Sequence, residues 1–243
     1  MSELLENARV GDVVASDFRA AAVFQQFGID FCCGGRRSVA DACRAAGVDQ
    51  AAVLVALEAL RPEDAPRDDV AGWPLDRLVA HILETHHVYI RASIPVISSY
   101  LEKLVSVHGA RHPELSRIEN AFRQVSRDLA PHLMKEEHVL FPYIAELLGF
   151  AGAQEEQPRS SPFGSVGNPI RMMEREHEEV GTEMRLIREL TSDFTPPEDG
   201  CTTYRVCFSE LLRFEQDLHR HVHLENNVLF PKVLALEQQV CRG

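Results

Sequence analysis

An eleven-residue segment that begins with histidine and ends with Phe-Pro occurs twice in the chain, 89 residues apart. The copies occupy 132–142 (HLMKEEHVLFP) and 221–231 (HVHLENNVLFP) and are identical at six positions. Each copy contains a histidine and a glutamate four residues apart: His132 and Glu136, His221 and Glu225. A further histidine precedes each copy at a similar distance, His87 by 45 residues and His177 by 44. Imidazole and carboxylate groups bind transition metals, so the repetition predicts one metal site shared by two related halves.

The spacing within each copy indicates where these side chains point. Residues four apart lie on one face of a helix, so each repeat histidine shares a face with its glutamate. These faces continue stripes of apolar side chains: Ile118, Phe122, Val125, Leu129, Val139 and Leu140 in the first copy, Leu211, Phe214, Leu218, Val228 and Leu229 in the second. Uncompensated buried charge costs several kcal/mol, and a bound metal ion removes that cost. Bridging carboxylates with imidazoles favour a non-haem di-iron site, with zinc and manganese as alternatives.

The same region offers a second, lower-ranked arrangement. Two Glu-x2-His elements, which end at His87 and His177, match those of ferritin-like carboxylate proteins: Glu84 and Glu174 are their glutamates. That site would leave both repeat histidines without a role. Two other histidines of the last segment lie two residues from the repeat histidine and are predicted to face solvent: His219 and His223.

A cysteine pair followed by two glycines lies near the N-terminus, at 32–35. Adjacent cysteines close only a strained disulfide ring, so Cys32 and Cys33 are predicted to be free thiols. A helix that begins near Ser38 and the neighbouring Arg36 and Arg37 are predicted to acidify them. Such thiols could accept iron, take a nitrosyl group or undergo redox exchange.

Helical periodicity dominates the chain and predicts an all-α protein. Four long helices are expected, and as antiparallel neighbours they form a four-helix bundle: 75–106, 114–148, 169–193 and 202–238. Three short helices are expected before them, capped by Asp17, Ser38 and Asp49. The resulting organisation is a small helical domain, a linker rich in proline and acids, and the bundle: 1–60, 61–74 and 75–243. A long loop is expected over 149–168.

Charge and composition exclude several classes of partner. The formal net charge is −12, with 25 basic and 37 acidic residues, so nothing provides the basic face that nucleic acid or an anionic membrane requires. No signal sequence or membrane-spanning run is apparent, and a cytoplasmic location is expected. The six cysteines are therefore expected to be reduced.

The histidine and glutamate constellation resembles hemerythrin-like domains, which hold a di-iron centre with five histidines and two carboxylates. The resemblance implies these metal ligands: His87, His108, His132 and Glu136 from one half, His177, His221 and Glu225 from the other. It also implies that the two glutamates bridge two iron ions. His108 depends on the resemblance alone, as does the choice of His87 over the adjacent His86. An open coordination position would admit O2 or NO.

The N-terminal motif narrows this resemblance. Phe24-x2-Phe27 followed by GIDFCCGG is similar to the small ScdA_N-like domain of iron–sulfur cluster repair di-iron proteins (the RIC family, YtfE/ScdA/DnrN-like). The similarity covers nearly the whole chain in the family's domain order. It implies repair of iron–sulfur clusters damaged by nitrosative or oxidative stress, through iron donation. It also implies that damaged iron–sulfur proteins are the partners, with Cys32 and Cys33 as thiol or iron-transfer residues.

Two other functions remain open at this point. The di-iron centre could reduce nitric oxide as a redox enzyme, or it could sense or carry O2 or NO without turnover. Whether the chain is an enzyme and whether it forms a homodimer are likewise left open.

Overall fold

The computed structural model describes residues 2–60, 70–152 and 163–240. Within these ranges all regular secondary structure is helical, and the one extended pairing is an isolated antiparallel bridge between Arg9 and Ser38. The prediction of an all-α fold is confirmed. None of the described helices combines the length and the apolar character needed to cross a membrane.

Five short helices make up the N-terminal segment: α1 (Ser2–Asn7), α2 (Val10–Ser16), α3 (Ala20–Gln26), α4 (Val39–Ala46) and α5 (Gln50–Glu58). As predicted, Ser38 caps α4 by accepting the N–H of Asp41, and Asp49 caps α5 by accepting the N–H of Ala51. The predicted cap at Asp17 is wrong, because this carboxylate binds the side chain and backbone N–H of Arg19, and α3 begins after that residue. The first two helices were not predicted.

Four long helices follow: α6 (75–108), α7 (114–152), α8 (Gly167–Leu190) and α9 (202–240). Each corresponds to one of the predicted segments and differs from it by at most four residues at either end. The third helix ends three residues early, where Ser192, Asp193 and Phe194 adopt positive φ angles. Ten residues of the predicted loop, 153–162, and most of the predicted linker, 61–69, lie outside the described residues.

Three of the long helices contain one turn of π-helix each, which lies over Ile82–His87, Glu136–Leu140 and Leu224–Leu229. A π-turn inserts one extra residue into an α-helix and often occurs at a functional site. The insertion shifts the helix face that follows. Val139 of the predicted apolar stripe lies in one of these turns and is 41% exposed, whereas its repeat counterpart Val228 is 4% exposed. The buried face resumes at Leu140 and Ile144.

The long helices pack as a bundle, with α7 against α8, α9 against α6, and α6 against α7. The N-terminal helices do not form a separate core. Their buried side chains, such as Val14, Phe24 and Phe31, join those of the bundle, such as Phe214 and Val222, in one apolar cluster. The N-terminal segment therefore packs against the bundle, next to the π-turn of α9.

Candidate metal centre

Six of the predicted ligands meet in the interior of the bundle, and each is at most 3% exposed: His87, His132, Glu136, His177, His221 and Glu225. They come from all four long helices. Three of them lie within or at the end of π-turns, so the extra residue in each turn helps to direct a ligand toward the interior.

The first repeat glutamate faces histidines on both sides. Glu136 Oε2 lies 3.4 Å from Nε2 of His87, and Glu136 Oε1 lies 3.4 Å from Nε2 of His132. Its two oxygens therefore face two different histidines, which is the arrangement that a carboxylate bridging two metal ions requires.

The second repeat glutamate completes the pattern. Glu225 Oε2 lies 3.1 Å from Nε2 of His177, and Glu225 Oε1 lies 3.1 Å from Nε2 of His221. Two ligand groups result, each with two imidazoles and one oxygen of each glutamate: His87, Glu136, His221 and Glu225, and His132, Glu136, His177 and Glu225. Within each group the ligand atoms lie within 4.8 Å of one another.

Several buried polar atoms at the centre have no hydrogen-bond partner among the described residues, although burial removes them from water. They include both carboxylate oxygens of Glu136 and of Glu225, and Nε2 of His87 and of His221. Two buried carboxylates side by side are costly unless cationic groups face them, and here only histidine imidazoles face them, at 3.1–3.4 Å among the described residues. Cations at the two positions would satisfy all of these atoms at once, so the residues present fit a two-metal site.

Charged partners orient both histidines of the first half. His87 Nδ1 lies 2.8 Å from Glu137 Oε1, and His132 Nδ1 lies 2.9 Å from Glu176 Oε2. Arg91 binds Glu137 through both terminal nitrogens, at 2.8 and 3.1 Å, and Lys135 binds Glu176. A carboxylate on Nδ1 keeps the ring proton there and leaves Nε2 as a metal ligand.

The second half uses different partners. His177 Nδ1 lies 2.9 Å from the side-chain oxygen of Asn226. His221 Nδ1 is buried with no hydrogen-bond partner among the described residues, and its ring stacks on that of His86 at 5.7 Å between centroids and 18° between planes. His86 in turn lies 2.9 Å from Asp217 through Nδ1.

The buried charges shift one another's protonation. Burial alone would lower the pKa of His177, but the Glu225 carboxylate raises it to about 9. Burial would raise the pKa of Glu225, but His221 and His177 hold it well below its usual range. Hydrogen bonding to His132 and Lys135 lowers the pKa of Glu176 to about 2. Glu225 therefore favours the anionic form that binds cations.

One predicted ligand lies elsewhere. His108 is the last residue of α6, and the 21 residues that separate it from His87 correspond to about 30 Å of helix. Its Nε2 lies 3.3 Å from the sulfur of Cys201. His108 is therefore not a ligand of this centre, and the expectation from the resemblance is wrong on this point.

The ferritin-like alternative is not supported by the positions of its glutamates. Glu84 is exposed, and Glu174 forms an ion pair with Arg36 of the N-terminal segment. Neither belongs to a metal-ligating group among the described residues.

The cysteine pair forms a tight turn around one carboxylate. Asp30 Oδ1 accepts the N–H groups of Cys32, Cys33 and Gly34 at 3.1, 2.9 and 3.3 Å. The Cys32 thiol also donates to Asp30 Oδ1 at 3.2 Å, and the two sulfurs are 3.9 Å apart. Cys32 is buried and Cys33 is half-buried. Asp30, Cys32 and Cys33 together form a third group able to hold a metal ion.

The predicted acidification of Cys32 is wrong. The Cys33 thiol, burial and the Asp30 carboxylate raise the pKa of Cys32 well above its usual range. Arg36, which was expected to favour a thiolate, instead binds Glu174. Cys32 is therefore protonated at neutral pH when no metal is bound.

The cysteine turn docks directly on the second repeat. The carbonyl oxygen of Cys32 accepts the side-chain amides of Asn226 and Asn227, at 3.3 and 3.1 Å. Asn226 thus contacts both the cysteine turn and His177. Gly11 and Gly35 permit this approach, because a Cβ at either position would lie within 2.4 Å of the Asn227 side chain. Cys33 also lines a cavity of about 100 Å³ with Arg36, Glu174, Glu178, Asn226 and Asn227.

The docked segment also covers a histidine that was expected to face solvent. His223 is 1% exposed, because Phe18 and Phe31 pack against its ring at 5.9 and 6.0 Å. Its neighbour His219 is half-buried against Phe31. The prediction of two solvent-facing histidines is therefore wrong for His223.

Sequence reasoning missed the residues that contact the ligands from behind: His86, Glu137, Glu176 and Asn226. Each is adjacent in sequence to a predicted ligand. A polar residue next to each ligand was the available signal, but periodicity alone does not show that it turns back toward the imidazole of a neighbouring helix.

Comparisons with known proteins agree with this geometry. Residues 78–233 match the hemerythrin HHE cation binding domain, and residues 6–61 match ScdA_N, a domain of unknown function. The iron-sulfur cluster repair protein YtfE of Dickeya chrysanthemi (strain Ech1591) is 32% identical over 228 residues, or 94% of this chain and 97% of the relative. The proteins of the same name from Yersinia pestis (strain Pestoides F) and Yersinia pseudotuberculosis serotype O:1b (strain IP 31758) are 32% identical over 231 residues, or 95% of this chain and 98% of each relative. The chain therefore belongs to the YtfE family of iron–sulfur cluster repair proteins.

Proposed function

We propose that the chain is a di-iron protein that repairs iron–sulfur clusters damaged by nitrosative or oxidative stress. The single observation that carries the di-iron assignment is that each buried glutamate divides its oxygens between two histidine pairs. His87 and His221 would hold one iron, His132 and His177 the other, and Glu136 and Glu225 would bridge them. When bound, the irons provide ions for transfer to a damaged cluster and a position that can take NO or O2.

The chain's own residues define a short path out of the centre. Asn226 binds His177 on one side and the Cys32 carbonyl on the other, so the cysteine turn is separated from a ligand by one side chain. Cys33 borders the adjacent cavity and is half-buried. In this proposal Cys32 and Cys33 receive iron and present it to the acceptor protein, with Asp30 as a third ligand at that step.

The partners that follow are iron–sulfur proteins with incomplete or nitrosylated clusters. The relatives reported above are named for cluster repair, and this supports repair over the alternatives. No observation favours nitric oxide reduction or gas sensing as the main activity.

Metal analysis of the purified full-length protein tests the centre. We expect about two irons per chain in the wild type. His132→Ala and Glu225→Ala should lose iron, whereas Glu84→Ala should keep it, because Glu84 is exposed on the same helix bundle. Unchanged iron in the first two variants would refute the site.

A repair assay tests the function separately. Iron-loaded protein is mixed with an iron–sulfur dehydratase whose cluster was damaged by NO or peroxide, and recovery of dehydratase activity is measured. We expect Cys32→Ser and Cys33→Ser to retain two irons but to restore the dehydratase more slowly. Full repair by a variant that carries both Cys32→Ser and Cys33→Ser would exclude the cysteine turn from iron transfer. Absence of repair by the wild type would refute the proposed function.

A further inference from the structure

A second reactive group lies away from the metal centre, at the end of the bundle where α6 ends and α9 begins. Cys201 immediately precedes the α-helix Thr202–His223 as its N-cap residue. It is exposed, whereas the other described cysteines are buried or, for Cys33, half-buried. The metal centre accounts for neither Cys201 nor its neighbours.

A buried histidine points at this sulfur. His108 is 6% exposed, and its Nε2 lies 3.3 Å from Cys201 Sγ. On the other side of the ring, Arg111 Nη2 lies 3.5 Å from His108 Nδ1. A guanidinium group only donates hydrogen bonds, so this contact favours the tautomer that accepts on Nδ1 and carries the ring proton on Nε2. In that tautomer His108 directs an N–H at the sulfur, which is the interaction that stabilises a thiolate.

The surroundings favour the thiolate further. The backbone N–H groups of Tyr204 and Thr203 at the start of the helix lower the pKa of Cys201. The carboxylate of Asp199, two residues before Cys201, would oppose this effect, but it is paired with Arg111 at 3.0 Å and with His112 at 3.0 Å.

The position of the histidine is fixed by packing. The ring of Tyr204, which is 1% exposed, lies against His108 at 5.7 Å and against His112 at 5.6 Å. An exposed sulfur beside a buried, oriented imidazole is a prepared nucleophile.

We propose that Cys201, activated by His108 and the start of α9, is a thiol-exchange site that forms mixed disulfides with low-molecular-weight disulfides. The Cys201 thiolate attacks one sulfur of the small disulfide. The S–S bond of that molecule breaks, a new S–S bond forms to Cys201, and the departing thiolate takes a proton from water. The Cys201 sulfur is oxidised and the departing thiol is reduced, so no further oxidant is needed.

Glutathione disulfide is a suitable probe, with the full-length protein and peptide mass mapping to locate and time the modification. We expect one glutathionyl group on Cys201, formed faster than on Cys33, absent in Cys201→Ser and released by dithiothreitol. His108→Leu should slow the reaction about threefold at neutral pH, because loss of the N–H lowers the thiolate fraction about tenfold while the remaining thiolate is more nucleophilic. His81→Leu, the same change at the far end of α6, is the matched control.

Three further measurements test whether His108 acts on the Cys201 thiolate and not through a change in folding. Arg111→Ala, a change at an exposed side chain, removes the contact to His108 Nδ1 and one partner of Asp199 while keeping the imidazole, and both changes should slow the reaction. The pH profile of Cys201 alkylation should shift upward in His108→Leu, and metal content should stay at the wild-type level as a check of folding. Modification of Cys201 no faster than of Cys33, or equal rates in His108→Leu and His81→Leu, would overturn the proposal.

Discussion

The two halves of the duplicated bundle place the same ligands around the centre but hold them differently. In the first half, carboxylates contact Nδ1 of both histidines, and Arg91 and Lys135 neutralise these carboxylates. In the second half, an amide contacts one histidine, and the other has a stacked ring instead of a hydrogen bond on Nδ1. The residues that follow the repeat glutamates differ accordingly: Glu137 and His138, Asn226 and Asn227.

This difference shows what each half does beyond holding a metal. A carboxylate in place of Asn226 would accept from His177 but could not donate to the Cys32 carbonyl, whereas an amide does both. The second half has therefore exchanged an anionic partner for a group that also binds the cysteine turn. The first half has no such contact and keeps the charge.

The largest expected effect is the loss of iron when either repeat glutamate is removed, and it should be equal in the two halves. Unequal losses would show that the halves do not hold the metals in the same way. Glu136→Ala and Glu225→Ala each remove one ligand atom from both metal positions. We expect either change to reduce bound iron from about two per chain to near zero, measured by elemental analysis after gel filtration. Retention of one iron in either variant would show that its glutamate serves a single position.

The next largest effect concerns the groups that bind Nδ1 of the ligand histidines, and it should distinguish the two halves. Glu176→Gln removes the charge behind His132, and Asn226→Ala removes the amide behind His177. We expect iron affinity to fall about 10- to 100-fold in each, measured by competition with a chelator. Asn226→Ala should also speed alkylation of Cys33, because Asn226 binds the cysteine turn. Glu176→Gln should leave that rate unchanged, because Glu176 binds His132 and Lys135 instead.

A smaller effect should report docking of the cysteine turn. In Gly35→Ala the new Cβ would lie 2.3 Å from Asn227 Oδ1 and 2.8 Å from the carbonyl oxygen of Phe31. We expect the turn to be displaced at a cost of about 1–3 kcal/mol, visible as faster hydrogen exchange over 29–37. Gly149→Ala is the matched control, since nothing lies within 4 Å of a Cβ there. Equal exchange in the two variants would mean that Asn227 does not hold the turn.

The smallest effect concerns the outer charges of the first half. Arg91→Ala and Lys135→Ala remove partly exposed cations from Glu137 and Glu176. Exposed ion pairs contribute about 0–1 kcal/mol, so we expect iron affinity to change about fivefold or less. A loss as large as that in Glu176→Gln would show that the cation, and not the carboxylate, orients the histidine.

Much of this centre could be predicted from the sequence because the duplication repeats its ligands. The i, i+4 spacing and the interrupted apolar stripes identified His132, Glu136, His177, His221 and Glu225, all of which are buried together. Helix starts were also predictable where a capping side chain marks them, as at Ser38 and Asp49.

The errors have a common physical origin, since periodicity describes one helix and not what covers it. His223 is buried by Phe18 and Phe31, which come from another part of the chain. Cys32 is a protonated thiol because the neighbouring Cys33 thiol, burial and the Asp30 carboxylate raise its pKa, and because Arg36 binds elsewhere. Val139 is exposed, whereas its counterpart Val228 in the second π-turn is covered by apolar residues of other helices, such as Leu78.

The double role of Asn226 has a thermodynamic consequence. One side chain contacts both a metal ligand and the cysteine turn, so iron binding and docking of the turn belong to one linked equilibrium. Linkage is reciprocal: the factor by which docking strengthens iron binding must equal the factor by which iron strengthens docking. A protein acceptor that draws the cysteine turn away from Asn226 would thereby weaken the hold on iron by that same factor, so engagement of the acceptor and release of the metal are coupled without any additional moving part.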